Sequence, residues 1–177
     1  MRYEPDTRPF DSTEEMDEFL IEQWNATIKP TDEVWHLGDV AMGKIADSLP
    51  KVGRLNGIKK LVPGNHDRVF SGVKPGMAER FMPEYKKVFQ VVFPVEITHL
   101  EIDGTPVKLC HFPYSGDHTE EERYANKRPF DDGLPLIHGH VHSLWKINGR
   151  QFNVGVDANN LAPVSEEEII EWLKEFR

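Results

Sequence analysis

Hydrophobic positions recur at helical spacing near both ends of the chain. The apolar residues of the first segment lie three or four positions apart: Met16, Phe19, Leu20, Trp24 and Ile28. This spacing predicts an amphipathic helix over about residues 12–28, with Pro30 after its end. A second set predicts a C-terminal helix: Ile169, Trp172, Leu173 and Phe176. Each helix follows a capping-box pattern, Ser12 with Glu15 and Ser165 with Glu168.

Between these helices, short apolar runs alternate with turn residues. The predicted strands are residues 32–37, 58–62, 91–93, 95–102, 107–110, 136–142, 144–147 and 151–156. A helix over residues 41–52 would connect the first two strands, which predicts parallel neighbours with a helical crossover. The strands between residues 91 and 110 are expected to be antiparallel, with Asp103-Gly104 as a hairpin turn and Asn148-Gly149 as a second one.

Two segments carry no clear period. Residues 71–83 are rich in Gly, Pro and Met, and could form a loop or a short helix. Residues 114–133 form a polar stretch of about twenty residues, longer than ordinary connections, so we expect it to be functional or locally helical.

Length and composition fit one globular domain over residues 1–177. The net charge of −9 argues against a broad nucleic-acid surface, although bound cations would still allow a phosphorylated substrate. No apolar run approaches a membrane span, the first ten residues do not resemble a signal peptide, and Cys110 is the single cysteine. We therefore expect a cytoplasmic protein with no membrane partner.

Polar residues follow four of the predicted strands. They are Gly38-Asp39, Gly64-Asn65-His66-Asp67, His111 and Gly139-His140-Val141-His142. Carboxylate, carboxamide and imidazole groups are ligands of divalent metals. Strand ends that deliver such groups to one sheet edge indicate an α/β active site.

Some of these residues have simpler interpretations when taken alone. Asp39 could be a helix N-cap, and His111 could be structural. In Gly64-Asn65-His66-Asp67, however, an Asx turn leaves His66 without a role, so His66 is a candidate acid and Asp67 a candidate carboxylate that orients a His ring.

The remaining histidines are assigned either a metal-binding role or a structural one. We expect His140 and His142 to converge on a metal and His138 to lie inside its strand. The residues assigned to structure or surface are Cys110, His36, His99, His118 and Asp157.

These motifs, in this order, resemble the calcineurin-like metallophosphoesterase family. The segments Arg8 to Asp11, His36 to Asp39 and Asn153 to Asp157 are similar to those of small standalone bacterial and phage members. The resemblance implies an α/β fold, a two-sheet αββα sandwich. It also implies that Asp39 bridges two metals, that Asn65, His111 and His140 complete one metal site, and that His142 binds the other metal. His66 would then stay off the metals and protonate or stabilise the leaving oxygen, with Asp67 orienting it.

One family motif is absent from the sequence. Members begin with a strand that ends in Asp-x-His, and no Asp-x-His occurs in this chain. The chain is therefore expected to begin after that strand, with one complete metal site and one that keeps only Asp39 and His142. We expect one tightly bound metal, a second that is weak or absent, and hydrolysis that is weak because the first metal site is incomplete. The sheet edge left by the missing strand would be covered by residues 1–10, by a partner chain, or not at all.

The resulting prediction is a metal-dependent phosphoesterase that hydrolyses a small phosphomonoester or phosphodiester with a metal-activated water. Mn²⁺ is the expected ion, with Fe, Zn, Ni and Mg as alternatives. A non-catalytic metal-binding or scaffold protein on the same fold, and a nuclease, remain open as alternative functions.

Overall fold

The structure is a computed structural model that describes residues 8–40, 42–94, 97–117, 119 and 121–177. Two compact units divide the chain, Met1–Val95 (unit 1) and Glu96–Arg177 (unit 2). The prediction of a single domain is not tested by this division and stays a prediction. Two further predictions fall on residues outside the described ones. Of residues 1–10, which were expected to cover a sheet edge, residues 1–7 are not described, and His118, which was assigned to the surface, is not described either.

Unit 1 combines three helices with a parallel sheet. Its elements are α1 (Thr13–Thr27), β1 (Glu33–His36), α2 (Ile45–Val52), β2 (Ile58–Leu61), α3 (Met77–Tyr85) and β3 (Val91–Val92). The strand order is β1-β2-β3, and both strand pairs are parallel. The helical crossover predicted between the first two strands is therefore confirmed.

The first helix begins where the capping box predicts it. The Ser12 hydroxyl accepts a hydrogen bond from the Glu15 main-chain N–H at 3.1 Å. The Glu15 carboxylate accepts one from the main-chain N–H of Asp11 at 2.9 Å. Both contacts satisfy N–H groups at the start of the helix, which have no partner within it.

Two predictions for unit 1 are corrected, and the alternative left open for residues 71–83 is decided in favour of a short helix. The second helix begins at Ile45 rather than at residue 41, because Gly43 has a φ of 79° and the chain is not yet helical there. The segment 71–83 contains the start of α3, whose N-cap is Gly76. Strand β3 was expected to be antiparallel, but it pairs in parallel with β2, because α3 returns the chain to the same sheet edge.

The apolar faces of these elements form one core. Its buried members come from α2, β2, α3 and the connecting segments: Ile45, Leu49, Val52, Leu61, Val69, Tyr85 and Phe89. Leu61 and Tyr85 are fully buried. The core therefore anchors the C-terminal end of β2, directly before the Gly64-Asn65-His66-Asp67 segment.

Unit 2 is a mixed five-stranded sheet with one α-helix. Its elements are β4 (Ile97–Ile102), β5 (Thr105–Cys110), β6 (Leu136–His138), β7 (Ile147–Asn148), β8 (Gln151–Asn153) and α4 (Glu166–Leu173). The strand order is β4-β5-β6-β8-β7. Strands β5, β6 and β8 are parallel to one another, and the two edge strands are antiparallel to their neighbours.

Turn chemistry predicts both hairpins of unit 2. Asp103 and Gly104, with φ values of 47° and 75°, connect β4 to β5. In the second hairpin Asn148 pairs with Gln151, so the turn is Gly149-Arg150, one residue later than the expected Asn148-Gly149. In the first hairpin, positive φ at both central residues gives the turn twist that antiparallel strands favour.

Several strands of unit 2 are shorter than predicted. The expected strand 136–142 ends at His138 and the expected strand 151–156 ends at Asn153, because the residues that follow are held in loops. Of the expected strand 144–147, only Ile147 belongs to β7. The long polar segment contains a 3-10 helix, Ala125–Lys127, so the expectation of local helix is confirmed. At the C-terminus, the Ser165 hydroxyl accepts from the Glu168 N–H at 3.3 Å, which confirms the second capping box.

Two sheets and four α-helices in the described residues agree with the predicted two-sheet α/β fold. None of the described helices combines the length and the apolar character that a membrane crossing requires.

We predict that Gly57→Ala destabilises unit 1 more than Gly76→Ala does. Both glycines have positive φ, 97° and 79°, so both substitutions carry the cost of a left-handed residue. At Gly57 an added Cβ would also lie 2.9 Å from the Val34 side chain and 3.0 Å from the Asp32 carbonyl oxygen, whereas nothing lies within 4 Å at Gly76. Urea unfolding should show an additional loss of about 1–3 kcal/mol for Gly57→Ala. Equal losses for the two variants would contradict this crowding.

Candidate metal centre and active site

Asp39 lies in the loop after β1 in a strained backbone conformation. Its φ is 53°, a region that non-glycine residues rarely adopt. Its carboxylate Oδ1 accepts a hydrogen bond from the His66 main-chain N–H at 2.8 Å. The N-cap of α2 is Lys44, so the alternative interpretation of Asp39 as the cap of that helix is excluded.

Asp67 connects the loops that follow β1 and β2. Its side chain is buried and accepts three main-chain hydrogen bonds, from Asp39 at 2.8 Å, Val40 at 3.1 Å and Gly64 at 2.8 Å. A carboxylate that accepts several N–H groups satisfies loop amides that have no strand partner. Asp67 therefore fixes the backbone that carries Asp39. Its expected role of orienting a His ring stays a prediction.

Tyr85 completes this arrangement from α3. Its hydroxyl donates to Asp67 Oδ1 at 3.2 Å and accepts from the Arg68 N–H at 3.1 Å. Burial, together with the Asp67 charge, raises the pKa of Tyr85 well above its usual range, so the phenol remains a donor. Nothing in the local sequence around Tyr85 indicated this role.

Asn65 and His66 line a small cavity of about 130 Å³ next to Asp67 and Arg68. His66 is exposed and Asn65 is partly buried, so both can reach a ligand in that space. A wider cavity of about 490 Å³ shares Gly43 and Arg68 with the first.

In unit 2 the structure brings two of the predicted metal ligands together. His111 follows β5 and His140 follows β6, and both side chains are buried. His111 Nε2 lies 3.2 Å from His140 Nδ1. Strands β5 and β6 are parallel neighbours, so their C-terminal ends deliver the two imidazoles to the same edge of the sheet.

The two rings form a hydrogen bond in this structure, and the same spacing would also fit a shared cation. Two nitrogens that bind one ion at about 2.1 Å each, at angles between octahedral and tetrahedral, lie about 3.0–3.4 Å apart. The observed 3.2 Å falls within that range. The donor chemistry therefore fits the divalent metal that the sequence implies.

Among the described residues, no group of three or more His, Cys, Asp or Glu side chains is close enough to hold a metal ion. The assignment of Asp39, Asn65, His111 and His140 to one ion, and of His142 to another, stays a prediction from the sequence.

Asp117 is a site residue that sequence reasoning missed. Its carboxylate Oδ2 lies 3.1 Å from His140 Nε2, on the side of the imidazole away from His111. Burial by itself would raise the pKa of Asp117, but hydrogen bonds from Arg123 and His140 outweigh it and hold that pKa below its usual range. Asp117 lies in the long polar segment, 23 residues before His140, where only the segment's unusual length suggested a function.

The loop that carries His140 and His142 is fixed by Asn153. Both histidines have positive φ, 70° and 51°. The fully buried Asn153 amide donates to the main-chain oxygens of His142 at 2.7 Å and Trp145 at 2.8 Å. Asn153 begins the segment Asn153 to Asp157 that carried part of the resemblance.

His138 and Cys110 are structural, as predicted. His138 lies in β6, fully buried, and its Nδ1 is 2.7 Å from the Gly139 carbonyl oxygen. Burial lowers the pKa of His138 to about 4, so the ring is neutral. Cys110 is fully buried.

Comparison with known proteins identifies the family of the chain. A family model described as the calcineurin-like phosphoesterase superfamily domain matches residues 17–155. The chain belongs to this superfamily.

Relatives of this superfamily member include two phage proteins. The Gene 66 protein of Mycobacterium phage L5 is 37% identical over 84% of this chain and 76% of its own length. The Gene 66 protein of Mycobacterium phage D29 is 38% identical over 83% of this chain and 78% of its own length. The crystal structure of a protein of unknown function from Aquifex aeolicus is similar with a TM-score of 0.66 and 26% identity, covering 95% of this chain and 90% of that one.

We predict that Tyr85→Phe destabilises the protein more than Tyr114→Phe. The first substitution removes a donor to the buried Asp67 and an acceptor for the Arg68 N–H, whereas the second removes one bond to the Leu134 carbonyl oxygen at 2.9 Å. Leaving buried groups without partners costs about 1–3 kcal/mol, against about 0.5–1.5 kcal/mol for an ordinary hydrogen bond. Chemical denaturation of both variants measures the difference. If Tyr114→Phe were the more damaging change, Tyr85 would not support Asp67 in this way.

Proposed function

We propose that this member of the phosphoesterase superfamily is a metal-dependent hydrolase of a small phosphomonoester or phosphodiester. The observation that carries the proposal is the pair of buried imidazoles, His111 and His140, whose nitrogens face each other at 3.2 Å. Two buried imidazoles in this arrangement are suited to a shared cation, and Mn²⁺ is the ion we propose.

A divalent metal, when bound, would offset phosphoryl charge and lower the pKa of a water molecule for attack. His111 and His140 would hold such an ion in unit 2. In unit 1, Asp39 and Asn65 would supply oxygen ligands to a divalent ion. His142 is the proposed ligand of a second, weaker metal.

His66 is the proposed general acid. Its main-chain N–H is held by Asp39, and its exposed imidazole borders the 130 Å³ cavity. Donating a proton to the leaving oxygen avoids the expulsion of an alkoxide, a contribution of about 10²–10⁴ in rate for a well-placed acid. Arg68 lines the same cavity and can attract the phosphoryl group.

The wider cavity of unit 1 supports a substrate with a partly apolar leaving group. Its wall includes Ile45, Met77 and Phe81, and three cationic residues line it: Lys44, Arg68 and Arg80. The cations contrast with the net charge of −9 for the chain and favour an acidic ligand. An aromatic phosphodiester combines both properties.

We predict that the chain hydrolyses bis(p-nitrophenyl) phosphate with Mn²⁺ and that His66→Ala lowers kcat/KM. The loss should be smaller than the factor of about 10²–10⁴ that an acid contributes with an alkoxide, because p-nitrophenolate leaves readily without a proton. Asp39→Asn should also abolish most activity, because it removes the charge of a proposed metal ligand. His99→Ala is the matched control, since His99 is an exposed residue of β4, and it should retain full activity. Release of p-nitrophenolate measures all four proteins. Unchanged turnover in Asp39→Asn would refute the enzyme hypothesis.

We also predict about one tightly bound Mn²⁺ per chain after dialysis, because the second proposed site keeps too few protein ligands. Metal content by elemental analysis, with EDTA-treated protein as the baseline, gives the stoichiometry. Two ions per chain that survive dialysis would show that the second site is complete.

A further inference from the structure

We propose that Asp117 is the positioning residue of the metal site in unit 2: it fixes the orientation and tautomer of His140 and thereby sets the affinity for a divalent cation. This inference rests on the metal use of the proposed function. It assigns a role to the long polar segment, residues 114–133, that the motifs do not explain.

The position of Asp117 against the ring defines the role. Its carboxylate lies 3.1 Å from His140 Nε2, while His140 Nδ1 lies 3.2 Å from His111 Nε2. An ionised carboxylate only accepts hydrogen bonds, so the His140 proton belongs on Nε2. The lone pair of Nδ1 is then directed toward His111, where a cation would be shared.

Two arginines keep the carboxylate in place. Arg123 Nη2 lies 3.0 Å from Asp117 Oδ1, and Arg128 Nη2 lies 3.1 Å from Oδ2. The Arg123 main-chain N–H also donates to Oδ2 at 3.1 Å. Asp117 itself has a fully buried side chain, so these contacts act in a poorly solvated environment where charge pairs are weakly screened.

Arg128 connects this carboxylate to the fold of the segment. Its buried guanidinium donates to the main-chain oxygens of Gly116 at 2.8 Å, Arg123 at 3.1 Å and Pro113 at 3.3 Å. These bonds connect the main chain at residues 113, 116 and 123 to the Arg128 guanidinium. The hydrogen bonds of Arg128 therefore fix the backbone that holds Asp117 beside His140.

Neighbouring rings restrict rotation of the imidazole. The His140 ring packs edge-on against Phe112 with centroids 4.9 Å apart, and against Tyr124 at 6.4 Å. Phe112 is fully buried. Packing thus limits the plane of the ring, and Asp117 selects which nitrogen carries the proton. A carboxylate behind a metal-binding histidine fixes the tautomer and raises the basicity of the ligand.

The first test is metal affinity. Asp117→Asn keeps the volume of the side chain but removes its charge, and Mn²⁺ titration by calorimetry should show affinity about 10–100-fold weaker than in the unmodified chain. Asp131→Asn is the matched control: this exposed aspartate of the same segment pairs with Arg150, so the substitution should leave affinity within about twofold. Affinity of Asp117→Asn within that same margin would overturn the proposal.

The second test requires neither metal nor a folded variant. Long-range ¹⁵N–¹H NMR of the metal-free, unmodified chain should show the His140 proton on Nε2, and a proton on Nδ1 would overturn the proposal. A purely structural role for Asp117 would lower thermal stability in Asp117→Asn but leave metal affinity unchanged.

Neither test measures hydrolysis, so a chain that binds Mn²⁺ without turnover would refute the proposed enzyme and still support the positioning role. An unmodified chain that binds no Mn²⁺ would overturn both.

Discussion

The buried carboxylate of Asp67 is the constraint on which unit 1 depends. Loops that leave a sheet carry main-chain N–H groups without strand partners, and burying them unpaired would cost free energy. Asp67 accepts three such groups from the segments after β1 and β2, and Tyr85 holds it from α3. One side chain therefore fixes two loops and connects them to the core.

In unit 2, different side chains satisfy the main-chain groups of the loops. There an amide, Asn153, donates to two carbonyl oxygens of the His140–Trp145 loop, and a guanidinium, Arg128, donates to three carbonyl oxygens of the preceding segment. In both units a polar side chain holds irregular backbone beside the candidate ligands. Such support allows Asp39, His140 and His142 to keep positive φ angles, which are unfavourable in isolation.

Local chemistry made part of this structure predictable. The capping boxes at Ser12 and Ser165 and the hairpin at Asp103-Gly104 depend on neighbouring residues, and each forms as expected. The prediction that β3 is antiparallel was wrong, because a strand of two residues carries no information about its pairing. Asp117 and Tyr85 were missed because their roles arise from contacts with residues distant in sequence, His140 and Asp67, which no local pattern encodes.

The hydrogen bond from the His66 N–H to Asp39 Oδ1 has a consequence for enzymology. Asp39 is at once a candidate ligand and the acceptor that holds the backbone of the candidate acid. Substitutions at the two positions are thermodynamically coupled, so their effects on rate should not add. Loss of activity at Asp39 therefore measures a joint contribution, and only a double-mutant cycle separates ligand charge from the placement of the acid.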